Sequence, residues 1–214
     1  MSNCWIFDFD GTLVDSEKHV RKTFLKITKD IAPEREDFAV KVVIGPPLEE
    51  TAKEILGESN IKFLKKFTAN FIKMHDHEIL NNTKPYCNSQ QILKKLFKMG
   101  HKIAIATNKR KAPTIKLINH LGWNDFFLNI ECSDSEKKIR SKIEMIEDLF
   151  KKDVDFKKAL FVGDTIGDAS AATKKNLKFI KANYGYGINQ DWDNINIFQS
   201  IDKIEHILRY IKLV

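Results

Sequence analysis

Two aspartates, Asp8 and Asp10, stand two positions apart directly after the apolar run Cys4-Trp5-Ile6-Phe7, and Gly11 follows them. Side chains alternate along an extended chain, so residues two apart point the same way. Two like charges held together repel, and a divalent cation or a lysine offsets the cost. The arrangement recurs in Gly163-Asp164-Thr165-Ile166-Gly167-Asp168, again after an apolar run. Four acids without a Cys or His cluster make an oxygen-rich ligand set. Such a set suits Mg²⁺, which binds through one or two carboxylates, several waters and substrate phosphate oxygens. A third run, Lys102 to Ala106, ends in Thr107-Asn108. A small hydroxyl beside the backbone N–H groups of a starting helix is a phosphate-binding arrangement. Lys142 adds an ammonium able to neutralise phosphate and nucleophile together. These are the parts of a phosphoryl-transfer site: a nucleophilic carboxylate, a second carboxylate as general acid and then base, and a cation and a lysine stabilising charge.

The acids need elements to hold them. Residues 3 to 8 read as a short buried strand, and unbroken apolar runs of this kind suit a parallel sheet covered on both faces. Similar runs lie at Lys102–Ala106 and Ala159–Val162, with weaker ones at Phe126–Ile130 and Leu177–Ile180. Between them, Ile92, Leu93, Leu96 and Phe97 make a helical stripe that Gly100 ends as a left-handed cap. Ile139, Ile143, Ile146, Leu149 and Phe150 make another, with Ser133 and Glu136 as its capping box. Alternating strands and helices predict a doubly wound α/β core with a parallel sheet, and the carboxyl edge of such a sheet is where ligands bind. Residues 15–84 break the rhythm. They show no convincing strand pair, and Ile61, Leu64, Phe67, Phe71 and Met74 share one helical face. The expected organisation is therefore a Rossmann-like core, 1–14 and 85–214, with an inserted helical cap, 15–84.

Composition narrows the partners. The chain has 214 residues, a net charge of +7 and an apolar fraction of 43%, enough for a sizeable core. Five of its 36 basic residues are Arg, and no basic block interleaves with aromatics, so the reading is Lys-rich solvated faces and no nucleic-acid partner. Cys4, Cys87 and Cys132 fit neither a disulfide framework nor a zinc site and are expected to be reduced thiols. No signal-like segment or membrane-length apolar stretch is present, so a cytoplasmic protein without a membrane partner is expected.

The four segments DFDGTLVDS, ATNK, Lys142 and GDTIGD resemble, in order, the four motifs of the haloacid dehalogenase-like hydrolases. Within them the chain is most similar to the phosphoglycolate phosphatase-like group with a helical cap, and the resemblance covers nearly the whole sequence. IGPPLEET, 44 to 51, resembles that group's cap loop, Lys84-Pro85-Tyr86 its return to the core, and Tyr184-Gly185-Tyr186-Gly187 its late loop. The resemblance implies Asp8 as nucleophile, Asp10 as acid/base and Lys142 as the motif-three lysine. Thr107 and Asn108, with Gly11 and Thr12, would hold the phosphate. Asp8, the main-chain carbonyl of Asp10, and Asp164 would bind Mg²⁺, with Asp168 supporting it through water. Two departures stand out: Asn88 lies where the family often has Gly, and the Lys-Pro pair of the third motif is missing. Lys137, Lys138 and Lys142 compete there. The pattern Lys142-x-Glu144-x-Ile146 favours Lys142, with Lys138 as the alternative.

The expected function is Mg²⁺-dependent hydrolysis of a small phosphorylated metabolite through an aspartyl-phosphate, by a monomer or homodimer. A sugar-phosphate phosphomutase would use the same two aspartates, and a catalytically silent binding protein would not need them intact. A dehalogenase needs neither Asp10 nor the GDxxxD carboxylates. His75-Asp76-His77 is not read as a metal site, because residues two apart face different sides of a helix. Ile44 to Glu50, stiffened by Gly45-Pro46-Pro47, are expected to face the pocket and help select the substrate.

Overall fold

The computed structural model describes residues 4–136 and 138–213; Asn3 of the expected first strand and the candidate Lys137 lie outside the described residues. Among these, six strands form one parallel sheet in the order β5-β4-β1-β6-β7-β8. They are β1 (Cys4–Phe7), β4 (Lys102–Thr107), β5 (Asn129–Cys132), β6 (Leu160–Gly163), β7 (Lys178–Ala182) and β8 (Gln199–Ile201). β1 sits inside the sheet, between β4 and β6, which is why its four residues are all buried and apolar. Its alternation sends Trp5 and Phe7 into a core with Leu93, Leu117 and Ile204, while Cys4 and Ile6 join Met145, Phe156 and Ala172 on the other face. Helices α5 (Ser89–Lys98) and α6 (Lys111–Leu121) supply the first face, and α7 (Lys142–Lys152) and α8 (Ile166–Lys174) the second. This is the doubly wound α/β core expected from the sequence.

The segment after β1 departs through β2 (Val14–Asp15) and returns through β3 (Lys84–Pro85), which pair antiparallel. The sequence reading found no strand pair here, because two residues per strand carry no periodicity. Between them lie α1 (Glu17–Ile31), α2 (Glu36–Lys41), α3 (Leu48–Asn60) and α4 (Leu64–Asn82). They share a core built on Phe24, Ile27, Ile55, Leu56, Phe67 and Phe71. On α4 the buried seam is Phe67, Phe71, His75 and Ile79. Ile61 of the expected stripe falls in a 3₁₀ turn before the helix and stays exposed.

Two local expectations shift. The run Phe126–Ile130 is not a strand throughout: Asn124–Phe126 form a 3₁₀ turn and β5 begins at Asn129. Helix α7 starts at Lys142 and leaves Ile139 exposed; its capping box is Ser141 with Glu144, not Ser133 with Glu136. Asn88, in place of the family's Gly, takes φ 68° and makes the left-handed turn itself, as Asn does more readily than other side-chain-bearing residues.

Candidate active site

The carboxyl ends of β4, β1 and β6 lie side by side, placing Thr107, Asp8 and Asp164 at one edge. Asp8 continues the ladder one step past β1, its N–H donating to the Val162 carbonyl at 2.9 Å. Lys142 is the first residue of α7, so the Ser141–Glu144 capping box sets where its side chain emerges. Asp168 is held in the first turn of α8. Its Oδ2 accepts from Thr165 Oγ1 (2.7 Å), Thr165 N (2.9 Å) and Asp164 N (3.2 Å). Asp168 therefore completes a capping box with Thr165 at the start of α8, and its other oxygen makes a second contact.

That contact is Lys142, whose Nζ bonds Asp168 Oδ1 and lies 3.1 Å from Asp8 Oδ2. Lys138 is instead exposed and pairs with Glu144 at 2.8 Å, so of the two described candidates only Lys142 meets the acids. One carboxylate oxygen each from Asp8, Asp164 and Asp168 lies within 4.8 Å of the others, all three residues buried. Burial raises the Asp8 carboxyl to about 7; Lys142 counters this and Asp168 adds to it. Asp164 is pushed well above the ordinary carboxyl range by burial, then by Asp168 and Asp8. Burial alone would lower the Lys142 ammonium, but the charges of Asp168 and Asp8 outweigh it and its net shift is upward.

This cluster fits a hard cation by two observations. Asp8 Oδ1 is buried without a hydrogen-bond partner, a costly state unless something else meets it. The donors are all oxygen, as Mg²⁺ prefers. The backbone is shaped around Asp164. Gly11 has φ +81°, and a Cβ there would come within 2.2 Å of Asp164 Oδ2; a Cβ on Gly185 would come within 2.2 Å of the Asp164 Cβ and 2.4 Å of the Gly11 carbonyl. Thr12 Oγ1 donates to Asp164 Oδ1 at 3.1 Å, and the Tyr186 N–H donates to Oδ2 at 2.7 Å.

Gly11 and Thr12, expected to hold the phosphate, lie against Asp164 in this structure, Gly11 by close packing and Thr12 by its hydroxyl. The Asp10 carboxylate also stands apart from the three-acid cluster. It accepts from Ser16 Oγ (2.6 Å) and Lys109 Nζ (2.9 Å). A cavity of about 90 Å³ is lined by Asp8, Asp10, Thr107, Asn108 and Lys109 on the core side. Ile44, Gly45, Pro46 and Leu48 close it from the helical segment. Glu49 is not part of this lining and pairs with Lys53 at 2.9 Å. Thr107 Oγ1 accepts the Lys109 N–H at 3.2 Å, leaving its own proton to donate. Asn108 Nδ2 donates to the Gly45 carbonyl at 2.8 Å, tying the two sides together. Neither is a helix N-cap; α6 begins at Lys111 after Arg110.

Several site groups escaped the sequence reading. Lys109, the last residue of ATNK, pairs with Asp10 at 2.9 Å, a role its position in the motif does not announce. Tyr184-Gly185-Tyr186-Gly187, which resembles the family's late loop, wraps Asp164, and the Tyr186 hydroxyl accepts the Ser16 N–H at 2.7 Å. The signal was present in the two glycines, whose need is visible only once Asp164 is in place. His75 is buried in a ring stack with Phe71 and His19, while His77 is exposed, so they do not converge.

A doubly wound sheet carrying converging carboxylates and a lysine at its carboxyl edge defines a phosphoryl-transfer type of scaffold. The family model for haloacid dehalogenase-like hydrolases matches residues 5–182, and the chain belongs to that family. Phosphoglycolate phosphatase of Aquifex aeolicus is 30% identical over 85% of this chain and 84% of its own. Phosphoglycolate phosphatase of Psychrobacter arcticus is 23% identical over 96% and 94%. In fold, the chain is similar to a predicted phosphatase from Clostridium acetobutylicum, with a TM-score of 0.85, 23% identity and full coverage of both chains. Among the described residues no helix is long and apolar enough to cross a membrane.

Proposed function

We propose that this haloacid dehalogenase-like phosphatase hydrolyses a small phosphate monoester, of the phosphoglycolate phosphatase-like kind, with Asp8 as its nucleophile and Mg²⁺ as its cofactor. The observation that carries the reading is the asymmetry of Asp8: Oδ2 is fixed by Lys142 at 3.1 Å, while Oδ1 is buried and unpartnered in a residue that lines the cavity. Asp8, Asp164 and Asp168, with the Asp10 carbonyl, would hold Mg²⁺. When bound, the cation neutralises charge on the transferring phosphoryl group and on the crowded carboxylates.

The chain's own groups then divide the work. An Asp8 oxygen forms a bond to phosphorus as the bond to the leaving oxygen breaks, giving an aspartyl-phosphate. Asp10, oriented by Ser16 and Lys109, gives its proton to the leaving alkoxide. It next takes a proton from the water that attacks the aspartyl-phosphate, releasing phosphate and restoring Asp8. Lys142 and the Thr107 hydroxyl stabilise the phosphoryl oxygens. Residues 15–84 act as a cap that closes over the cavity and excludes water, with Asn108–Gly45 as one latch.

Phosphate release from a panel of monoesters, followed with Mg²⁺ and with excess EDTA, tests the reading; isomer formation from a sugar monophosphate is followed in parallel. The expected result is Mg²⁺-dependent release, none in EDTA, and acid-stable labelling of Asp8 in quenched turnover. Full activity in EDTA, or isomerisation without release, overturns it.

A further inference from the structure

We infer that the cavity selects a phosphate monoester whose alcohol carries a compact apolar group, over one carrying a second anion. This names a substrate class for the phosphatase proposed above and rests on that reading. The core side of the cavity is polar, as phosphate requires. The opposite wall is made by Val20, Phe24, Ile44, Leu48 and Phe71. Val20, Ile44 and Phe71 keep 6 to 8% exposure, while the inner residues Ala52, Ile55, Leu56 and Phe67 of the same helical core have none. These three line the cavity, where an apolar group would remove residual surface from water.

The cations lining the cavity already hold carboxylates. Lys109 pairs with Asp10 at 2.9 Å, and Arg110 pairs with Asp76. His75, the remaining basic group on this wall, is stacked on Phe71 with ring centroids 5.1 Å apart. Burial pushes its pKa down to about 4, so it is neutral at pH 7. A second anion on the substrate would have to break one of these pairs to be matched, and leaving its partner unpaired is costly.

The test compares kcat/KM for benzyl phosphate, ethyl phosphate and phosphoglycolate, all with Mg²⁺. Benzyl phosphate is expected to exceed each of the others by about tenfold or more. Phe71→Leu and Leu48→Ser should each narrow the ratio of benzyl to ethyl phosphate, Leu48 being partly exposed and the safer change for folding. Phosphoglycolate preferred over benzyl phosphate, or a ratio unmoved by both variants, overturns this inference and leaves the phosphatase reading standing. No release from any of the three, with protein shown to be folded and loaded with Mg²⁺, overturns both.

Discussion

At the scale of single residues, Asp8 is held in a state that is costly without a partner. Asp8→Asn preserves volume and removes the carboxylate nucleophile. Turnover should fall below about 1% of wild type, with no loss of melting temperature. Retention of more than that, once deamidation is excluded by mass, would reject the assignment. A second prediction follows from proton linkage. The folded carboxyl titrates at about 7, against about 3.9 in an unfolded chain. Between those values the native state binds more protons than the unfolded state, so Asp8 lowers stability as pH rises through this window, and its effect is flat above it. Asp164, also raised, acts in the same direction. A cation competes with those protons. The gain in melting temperature on adding Mg²⁺ should therefore be larger at pH 7.5 than at pH 5. An equal or smaller gain at pH 7.5 would contradict the site.

At the scale of elements, the late loop around Gly185 and the turn at Gly11 clamp Asp164 from two sides. The Gly185 Cα leaves no room for a Cβ against either Asp164 or the Gly11 main chain, and backbone cannot swing aside as a flexible side chain can. Gly185→Ala should displace Asp164 and raise the Mg²⁺ concentration needed for half-maximal activity by about tenfold, the scale seen when groups that orient metal ligands are altered. A magnesium titration superimposable on that of the wild type would show that the loop does not set the metal site. The residue is too far from Gly11 and Asp164 in the chain for this requirement to be read from either motif.

At the scale of the whole molecule, helix α4 meets α6 through Asp76. Arg110 pairs with its carboxylate, and Lys116 Nζ donates to its carbonyl at 3.0 Å. Together with Asn108–Gly45, these contacts hold the helical segment over the sheet edge, while the short β2–β3 pair is where the chain crosses between the two. In the cap reading, closure is an equilibrium that such contacts bias. Arg110→Met should shift it toward the open form. The expected signs are a larger radius of gyration by small-angle X-ray scattering without ligand, and faster amide exchange in α4. Unchanged scattering and unchanged exchange would argue against a hinged cap.

The sequence by itself determined the core strands and the acids at their ends, because a buried parallel strand is an apolar run and its end is where the polar residues begin. Asp8, Asp164 and Thr107 were legible for that reason. It also carried the helical character of 15–84, although the two-residue strands at its borders were too short to register. The pattern Lys142-x-Glu144-x-Ile146 favours Lys142 over Lys138, and folding supplies the reason: the Ser141 cap starts α7 at Lys142, which meets Asp8 and Asp168, while Lys138 stays exposed on Glu144. Folding also decided that Lys109 meets Asp10 across 99 positions and that Tyr186 meets Asp164 across 22. The apolar wall facing Asp8 emerged in the same way, because its residues are periodic in the sequence as core positions and become a cavity wall only where two bodies meet. Local chain geometry is written in spacing of two or 3.6 residues; partnership between distant side chains is set by packing, which no spacing encodes.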